Sequence, residues 1–154
     1  VAVAGRLGHA AAGLALLGAG ETGPAELLDA HRRPIPPYAC GPRAAALGAT
    51  SMLDVSDGLL QDLGHVAKAS GVGIVLLPEA FVIPAPMRKA AQRLGADPLE
   101  WILSGGEDHA LAATFPQGVQ LPPEWAAVGH VEAGEGVQVR GRSVTYGGWD
   151  HFRE

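Results

Sequence analysis

Two acidic residues and a serine lie together in the segment Asp54-Val55-Ser56-Asp57-Gly58. Apolar residues before it predict a short strand, and apolar residues at three- and four-residue spacing after it predict a helix. Carboxylates at such a junction suit Mg²⁺, which takes one or two protein carboxylates together with phosphate oxygens. The free amides of the helix start could also accept a phosphate. A structural role is equally open, because Ser56 or Asp57 could simply cap the helix.

A second candidate site is the segment Ser104-Gly105-Gly106-Glu107-Asp108. Paired glycines allow a backbone to approach a ligand closely. Glu107 could then accept hydrogen bonds from a cationic heterocycle or from its amino group. The alternative is an ordinary turn with solvated acids.

A third candidate is Trp149, which follows a glycine pair near the end of the chain. An exposed indole there could stack on a flat ligand. The alternative is that this aromatic residue tethers the terminal segment to the core.

The sequence lacks the motifs that are typical of several other kinds of enzyme. The six histidines form no His-Glu-x-x-His pair, so a zinc hydrolase is unsupported. There is no Gly-x-Ser-x-Gly, which speaks against a serine hydrolase, and no Gly-x-x-x-x-Gly-Lys-Ser/Thr, so any use of ATP would not involve a conventional phosphate loop. A single cysteine, Cys40, cannot form an internal disulfide, which favours a reducing, cytoplasmic setting.

Length and composition limit the architecture. We expect one domain over residues 1–154, because 154 residues with 47% apolar content suffice for one core. The net charge is -5 and no dense basic run is present, so we expect no nucleic-acid partner. The longest apolar stretch, Ala10 to Ala19, is about half of what a membrane span requires, so we expect no membrane partner.

The pattern of elements predicts an α/β domain with a mixed sheet and an antiparallel finish. Helices are expected at residues 9–17, 25–32, 43–47, 57–70, 86–94 and 98–103. Strands are expected at residues 1–3, 51–55, 74–77, 109–115, 125–131, 137–140 and 143–146. The proline cluster at 34–37 is interpreted as a stiff crossing within the domain.

Four motifs then follow in order along the chain. They are VAVAGRLG at residues 1–8 with AAGL at 11–14, LDVSDGL at 53–59 with DLGH at 62–65, LSGGED at 103–108, and GWDHF at 148–152. Together they resemble the thiamine-monophosphate kinase family, specifically the carboxyl-terminal half of its polypeptide. Aminoimidazole ribonucleotide synthetase and selenophosphate synthetase share the two-half architecture, but their motifs match less well.

The resemblance implies a fold, a reaction and a set of roles. The fold would be three-layered, with helices on the faces of a mixed sheet, like the carboxyl-terminal domain of aminoimidazole ribonucleotide synthetase. The reaction would be transfer of the terminal phosphoryl group of ATP to thiamine monophosphate, assisted by Mg²⁺. By position in the motifs, Asp54 and Asp57 match the family's metal-binding acids, Ser56 its nucleotide contact, Glu107 its substrate-binding acid, and Trp149 the aromatic residue against the thiamine portion.

The resemblance also implies that further residues of the site, and a homodimer interface, belong to an amino-terminal half that precedes Val1. Turnover by this chain alone is therefore not expected. Two positions depart from the family pattern: His9 stands where an acid is usual, and His109 where a tyrosine is common. Two other hypotheses stay open, a non-catalytic module that binds a thiamine phosphate or nucleotide, and a purely structural domain in which Glu107 lies far from Asp54.

Overall fold

A computed structural model describes residues 1–143 of the chain. Its helices are α1 (His9–Gly18), α2 (Ala25–Arg32), α3 (Cys40–Ala46), α4 (Leu59–Ser70), α5 (Ala85–Leu94) and α6 (Pro98–Ser104), with a 3₁₀ turn at Pro78–Ala80. Its strands are β1 (Ala2–Ala4), β2 (Ser51–Val55), β3 (Gly73–Leu76), β4 (Ala110–Thr114), β5 (Trp125–Ala127), β6 (Gly129–Glu132) and β7 (Gly136–Val139).

The predicted elements within residues 1–143 are present: α2 and β2 have the predicted bounds, and the ends of the others are displaced by at most three residues. Helix α3 begins at Cys40 instead of Arg43, and α4 begins at Leu59 instead of Asp57. The strand predicted at 125–131 is divided at Val128 into β5 and β6. The strand predicted at 143–146 falls, apart from Ser143, outside the described residues.

The strands form two sheets that meet at Val128. One sheet has the order β2-β4-β1-β5 and is antiparallel throughout, and the other has the order β6-β3-β7. In the second sheet β3 runs antiparallel to β6 and parallel to β7. The N–H of Val128 donates to the carbonyl of Val1 at 3.0 Å, and its carbonyl accepts from the N–H of Leu77 at 2.8 Å. These two bonds connect the sheets, so the mixed β-structure expected from the sequence is present with a break at one residue.

Helices cover the strands on both faces, which confirms the layered α/β architecture. Alternation along β1 sends Val3 into the main core, together with apolar residues of α1, α2, α4, α5 and α6. Its neighbours Ala2 and Ala4 face a smaller cluster on the other side, where α3 contributes Cys40 and Ala44. None of the helices within residues 1–143 combines the length and apolar character needed to cross a bilayer.

Candidate functional site

The two acidic segments singled out in the sequence lie against each other. Strand β2 ends at Val55, and β4, its antiparallel neighbour, begins at Ala110, with which Val55 is paired. Just outside this pair, the N–H of His109 donates to the carbonyl of Val55 at 3.1 Å, and the N–H of Glu107 donates to the carbonyl of Ser56 at 2.8 Å. The segment 104–109, called here the acidic loop, is thus bonded along the segment 54–58, called here the strand–helix junction.

Glycines allow this contact between the two segments. A Cβ at Gly106 would lie 2.2 Å from the carbonyl oxygen of Ser56, and a Cβ at Gly58 would lie 2.7 Å from that of Ser104. Gly58 also has φ +128°, which side-chain-bearing residues rarely adopt. The sequence suggested that the glycine pair lets backbone approach a ligand, whereas in the structure the close approach at Gly106 is to the junction.

Asp54 lies at the exposed end of this arrangement. Its side chain is 58% exposed, and its Oδ2 lies 3.2 Å from Nδ1 of His109. Its partner is therefore an imidazole and not a guanidinium, and most of the carboxylate remains open to solvent. An acid so placed is available to a cation or a ligand.

Glu107 reaches the same imidazole from the other side. Its carboxylate is 73% exposed, and Oε2 lies 4.0 Å from Nε2 of His109. His109 therefore stands between Asp54 and Glu107. The hypothesis of a structural domain required these two acids to be far apart, and the structure brings them to opposite nitrogens of one ring.

The acidic loop has an unusual backbone. Glu107 has φ +68° and His109 has φ +50°, both in the left-handed region. Non-glycine residues there cost about 1–2 kcal/mol each, and such residues cluster at functional sites. The surrounding hydrogen bonds hold this conformation and with it the directions of the two side chains.

Asp57 and Ser56 are half-buried, and neither occupies the N-cap position of α4, which is taken by Gly58. The amides of this helix start are instead held by Asp62, whose Oδ2 accepts from the N–H of Asp57 and of Gly58, each at 3.1 Å. A phosphate at these two amides, which the sequence left possible, would have to displace a carboxylate.

The helical pattern places Asp62 with the polar residues of α4, outside its apolar stripe, and that interpretation is wrong. Asp62 is only 5% exposed, and burial raises the pKa of its carboxyl group. It stabilises the junction from within the protein. One signal of this was available, because an acid in the first turn of a helix can reach back to the preceding amides.

Asp108 is buried in the same manner at the start of α1. It is 5% exposed, and its Oδ1 accepts from the N–H of Ala10 at 2.9 Å. Burial raises its pKa to about 6. The alternative of a turn with two solvated acids is therefore wrong for Asp108, although Glu107 beside it is exposed.

A cleft of about 390 Å³ adjoins the site. Asp54 and His109 line it, and Pro34, Pro36, Pro37 and Tyr38 form another part of its wall. The proline segment, interpreted from the sequence as a stiff crossing, thus also shapes the surface beside the exposed acid. Trp149, the third candidate, lies outside the described residues.

His109 is the site residue that the sequence reasoning missed. It appeared there only as a departure from the family pattern and was given no ligand contact. Its proximity to Asp54 depends on the pairing of β2 with β4, which the order of elements alone does not specify. A histidine directly after the pair Glu107-Asp108 was the available signal.

The donors fit a hard divalent cation bound through few protein ligands. Within residues 1–143 no group of three or more histidine, cysteine or acidic side chains is gathered as a metal cage. Asp54 and Asp57 nevertheless offer carboxylate oxygens at one junction, and Mg²⁺ binds with one or two carboxylates when phosphates and water complete its shell.

Comparison with known proteins gives a consistent result. No protein-family model matches the chain. Thiamine-monophosphate kinase of Mycobacterium tuberculosis is 49% identical over 157 residues, covering 100% of this chain and 46% of that protein. Thiamine-monophosphate kinase of Aquifex aeolicus is 38% identical, covering 99% of this chain and 51% of that protein. The chain thus spans about half the length of these relatives.

Solved structures agree. One described as AaThiL complexed with AMPPCP and TMP superposes with a TM-score of 0.89 at 36% identity, over 98% of this chain and 50% of that one. The structure of thiamine-monophosphate kinase from Stenotrophomonas maltophilia K279a superposes with a TM-score of 0.81 at 31% identity, over 93% of this chain and 50% of that one. HypE of Escherichia coli shares the fold. It superposes with a TM-score of 0.64 at 20% identity, over 99% of this chain and 50% of that one. These likenesses, over nearly the whole chain and about half of each relative, show that the chain corresponds to one half of the polypeptide of the thiamine-monophosphate kinase family.

Proposed function

We propose that the chain, over residues 1–154, is the carboxyl-terminal domain of a thiamine-monophosphate kinase. The complete enzyme would transfer the terminal phosphoryl group of ATP to the phosphate of thiamine monophosphate, giving thiamine diphosphate and ADP. An amino-terminal half, absent from this chain, would supply further ligands for nucleotide and metal. The observation that carries this proposal is the meeting of Asp54 and Glu107 at His109, because it joins the metal-side and substrate-side acids in one place.

Phosphoryl transfer requires chiefly positioning and neutralisation of negative charge. Asp54 and Asp57 would hold Mg²⁺, which would supply that neutralisation of phosphate charge. Asp54 suits this role because its carboxylate is open to solvent at the end of a strand. The N–H of Asp57 donates to the buried Asp62, so the backbone of Asp57 is held at the strand–helix junction.

Ser56 and Glu107 would contact the two substrates. Ser56 is proposed to contact the nucleotide, and Glu107 to accept a hydrogen bond from the amino group of the thiamine heterocycle. The bond from the N–H of Glu107 to the carbonyl of Ser56 sets the distance between these two residues. Trp149 is proposed to lie against the thiamine portion.

Three further proposals concern the surroundings of the enzyme. A homodimer would form through the amino-terminal half. Cys40 is a buried free thiol, which supports a reducing, cytoplasmic location. The net charge of -5 supports the absence of a nucleic-acid partner.

The direct test is an assay of the intact polypeptide for thiamine diphosphate and ADP, formed from thiamine monophosphate and ATP with Mg²⁺. Equal yields of both products are expected, and formation of ADP without thiamine diphosphate would overturn the proposal. Calorimetric titration of this chain alone separates a half-site from a self-sufficient binding module. A half-site binds thiamine monophosphate weakly or not at all with Mg²⁺ present, whereas a module binds unaided.

A further inference from the structure

Asp108 connects the acidic loop to a third segment of the chain. Its Oδ1 accepts from the N–H of Ala10, in the first turn of α1, at 2.9 Å. The residues before α1 form the turn Gly5-Arg6-Leu7-Gly8, in which Gly8 is the left-handed N-cap. The helix start has no side-chain cap from its own N-cap residue, so the carboxylate that satisfies it comes from 98 residues further along the chain.

The neighbours of Asp108 in the sequence are the two residues at the site. Glu107 and His109 both have left-handed backbones, and their N–H groups donate to Ser56 and Val55. The acidic loop is therefore attached on one side to the strand–helix junction by main-chain bonds. On the other side the side chain of Asp108 accepts a hydrogen bond from the start of α1, and Gly105 lies close to the side chain of Ala11.

The second oxygen of Asp108 has no comparable role in holding the fold. Oδ2 is buried without a hydrogen-bond partner among the described residues. Leaving a buried polar atom unpaired is costly, and such atoms in native structures call for an explanation. Oδ1 is therefore the oxygen through which Asp108 holds the start of α1.

We infer that Asp108 is a positioning residue: its bond to the start of α1 fixes the acidic loop so that Glu107 and His109 face the ligand side of the junction. The inference rests in part on the proposed function, since its kinetic consequence is read on thiamine monophosphate. Asp108 touches no substrate in this scheme. It acts through the orientation of Glu107, so the affinity for the substrate that Glu107 binds is the quantity it controls.

The first experiment measures the loop itself and does not depend on enzymatic activity. Amide hydrogen exchange is followed by NMR in this chain for wild type and Asp108→Ala. Exchange of the Glu107 and His109 amides is expected to accelerate by about tenfold or more in the variant, because local opening of the loop becomes easier. Unchanged exchange at both amides overturns the inference.

Asp97→Ala is the matched control. Asp97 caps α6 with a bond of the same length, 2.9 Å from the N–H of Leu99, and lies at the end of that helix away from the acidic loop. Its loss is expected to change exchange at Glu107 and His109 by less than about threefold. Equal acceleration in both variants means general loss of stability and also overturns the inference.

The second experiment measures kinetics in the intact kinase. Asp108→Ala is expected to raise KM for thiamine monophosphate by about tenfold while KM for ATP changes by less than about threefold. Asp108→Asn keeps an oxygen at the position of Oδ1 and is expected to restore the wild-type KM within about threefold. Equal increases in both KM values, or failure of the asparagine variant to rescue, contradict the positioning role.

Failure of the alanine variant to fold and failure of the proposed function each leave a decisive experiment. If the alanine variant does not fold, Asp108→Ser, whose hydroxyl is shorter than the carboxylate, is measured in the same two experiments with the same expectations. If the intact wild-type protein makes no thiamine diphosphate, the proposed function fails, and the exchange experiment still decides whether Asp108 holds the loop.

Discussion

Nδ1 of His109 lies 3.2 Å from Oδ2 of Asp54, across the end of the β2–β4 pair. The contact occupies one oxygen of the exposed carboxylate and leaves the other to solvent or a ligand. If Asp54 binds the metal as proposed, His109 would act as an outer-shell residue that orients a metal ligand. The first prediction follows from this pair.

His109→Ala is expected to weaken Mg²⁺ activation of the intact kinase by about tenfold, because Asp54 loses the partner that orients it. The measurement is the Mg²⁺ concentration that gives half-maximal activity at saturating ATP. His130→Ala is the control, since His130 likewise lies beside an acid, with Nε2 3.6 Å from Oε2 of Glu132 on β6. An unchanged Mg²⁺ requirement in His109→Ala would show that the contact is incidental.

Asp57→Ala is expected to lower kcat of the intact kinase by about a hundredfold or more, because charge compensation at the transferred phosphate is lost. The fold should survive, since the N–H of residue 57 still donates to Asp62. Asp29→Ala, at an exposed position of α2, serves as the control and should leave kcat unchanged. Wild-type turnover in Asp57→Ala would remove Asp57 from the mechanism.

Gly106→Ala is expected to destabilise the chain by about 1–3 kcal/mol, because overpacking forces a shift of the backbone. A Cβ there would lie 2.2 Å from the carbonyl oxygen of Ser56. The free energy of unfolding in urea is the measurement. Gly18→Ala is the matched control, because nothing lies within 4 Å of its added Cβ, and it should be neutral or slightly stabilising. Equal stability of Gly106→Ala and wild type would refute the close contact between the two segments.

Asp108 is expected to make stability depend on pH in the direction opposite to most acids. Burial raises its pKa from 3.8 to about 6, opposed in part by backbone hydrogen bonds and the nearby Arg6, so the folded state holds the proton more tightly than the unfolded state. Protonation of Asp108 stabilises the folded state fully below about pH 4, and this stabilisation is lost as the pH rises to about 6. The free energy of unfolding therefore falls by up to about 3 kcal/mol over this range.

Other groups titrate in the same range, so the prediction concerns a difference between two proteins. The free energy of unfolding of wild type minus that of Asp108→Asn should fall as the pH rises from about 4 to about 6, because asparagine does not titrate. Urea unfolding at several pH values measures it, with Asp29→Asn as the control for an exposed acid. A flat or rising difference would show that the Asp108 carboxyl group is not held in its protonated form by burial.

Local pattern was sufficient to predict much of the fold. The apolar spacing from Leu59 to Ala67 predicted α4, and the strand before it placed Asp54 at a strand end. The side chain of Asp54 is exposed there, so water can solvate its carboxylate.

The remaining features depend on contacts between distant parts of the chain. The burial of Asp108 results from its approach to Ala10, and the role of His109 results from the pairing of β2 with β4. The break at Val128 arises because its N–H and carbonyl bond to different strand segments, at Val1 and Leu77. The spacing of residues within one segment does not specify which distant segments it contacts. The acidic loop was therefore identified as a candidate site from the sequence, whereas its contacts with α1 and with the strand–helix junction were not.

Asp54 and Asp57 are proposed to hold a divalent cation at the end of β2. Paramagnetic broadening of the amide NMR signals of this chain by Mn²⁺ detects such binding even when the occupancy is weak and no turnover occurs. We expect broadening centred on residues 54–58 that disappears in the Asp54→Asn, Asp57→Asn double variant. Broadening centred elsewhere, or unchanged in that variant, would rule out cation binding by this pair.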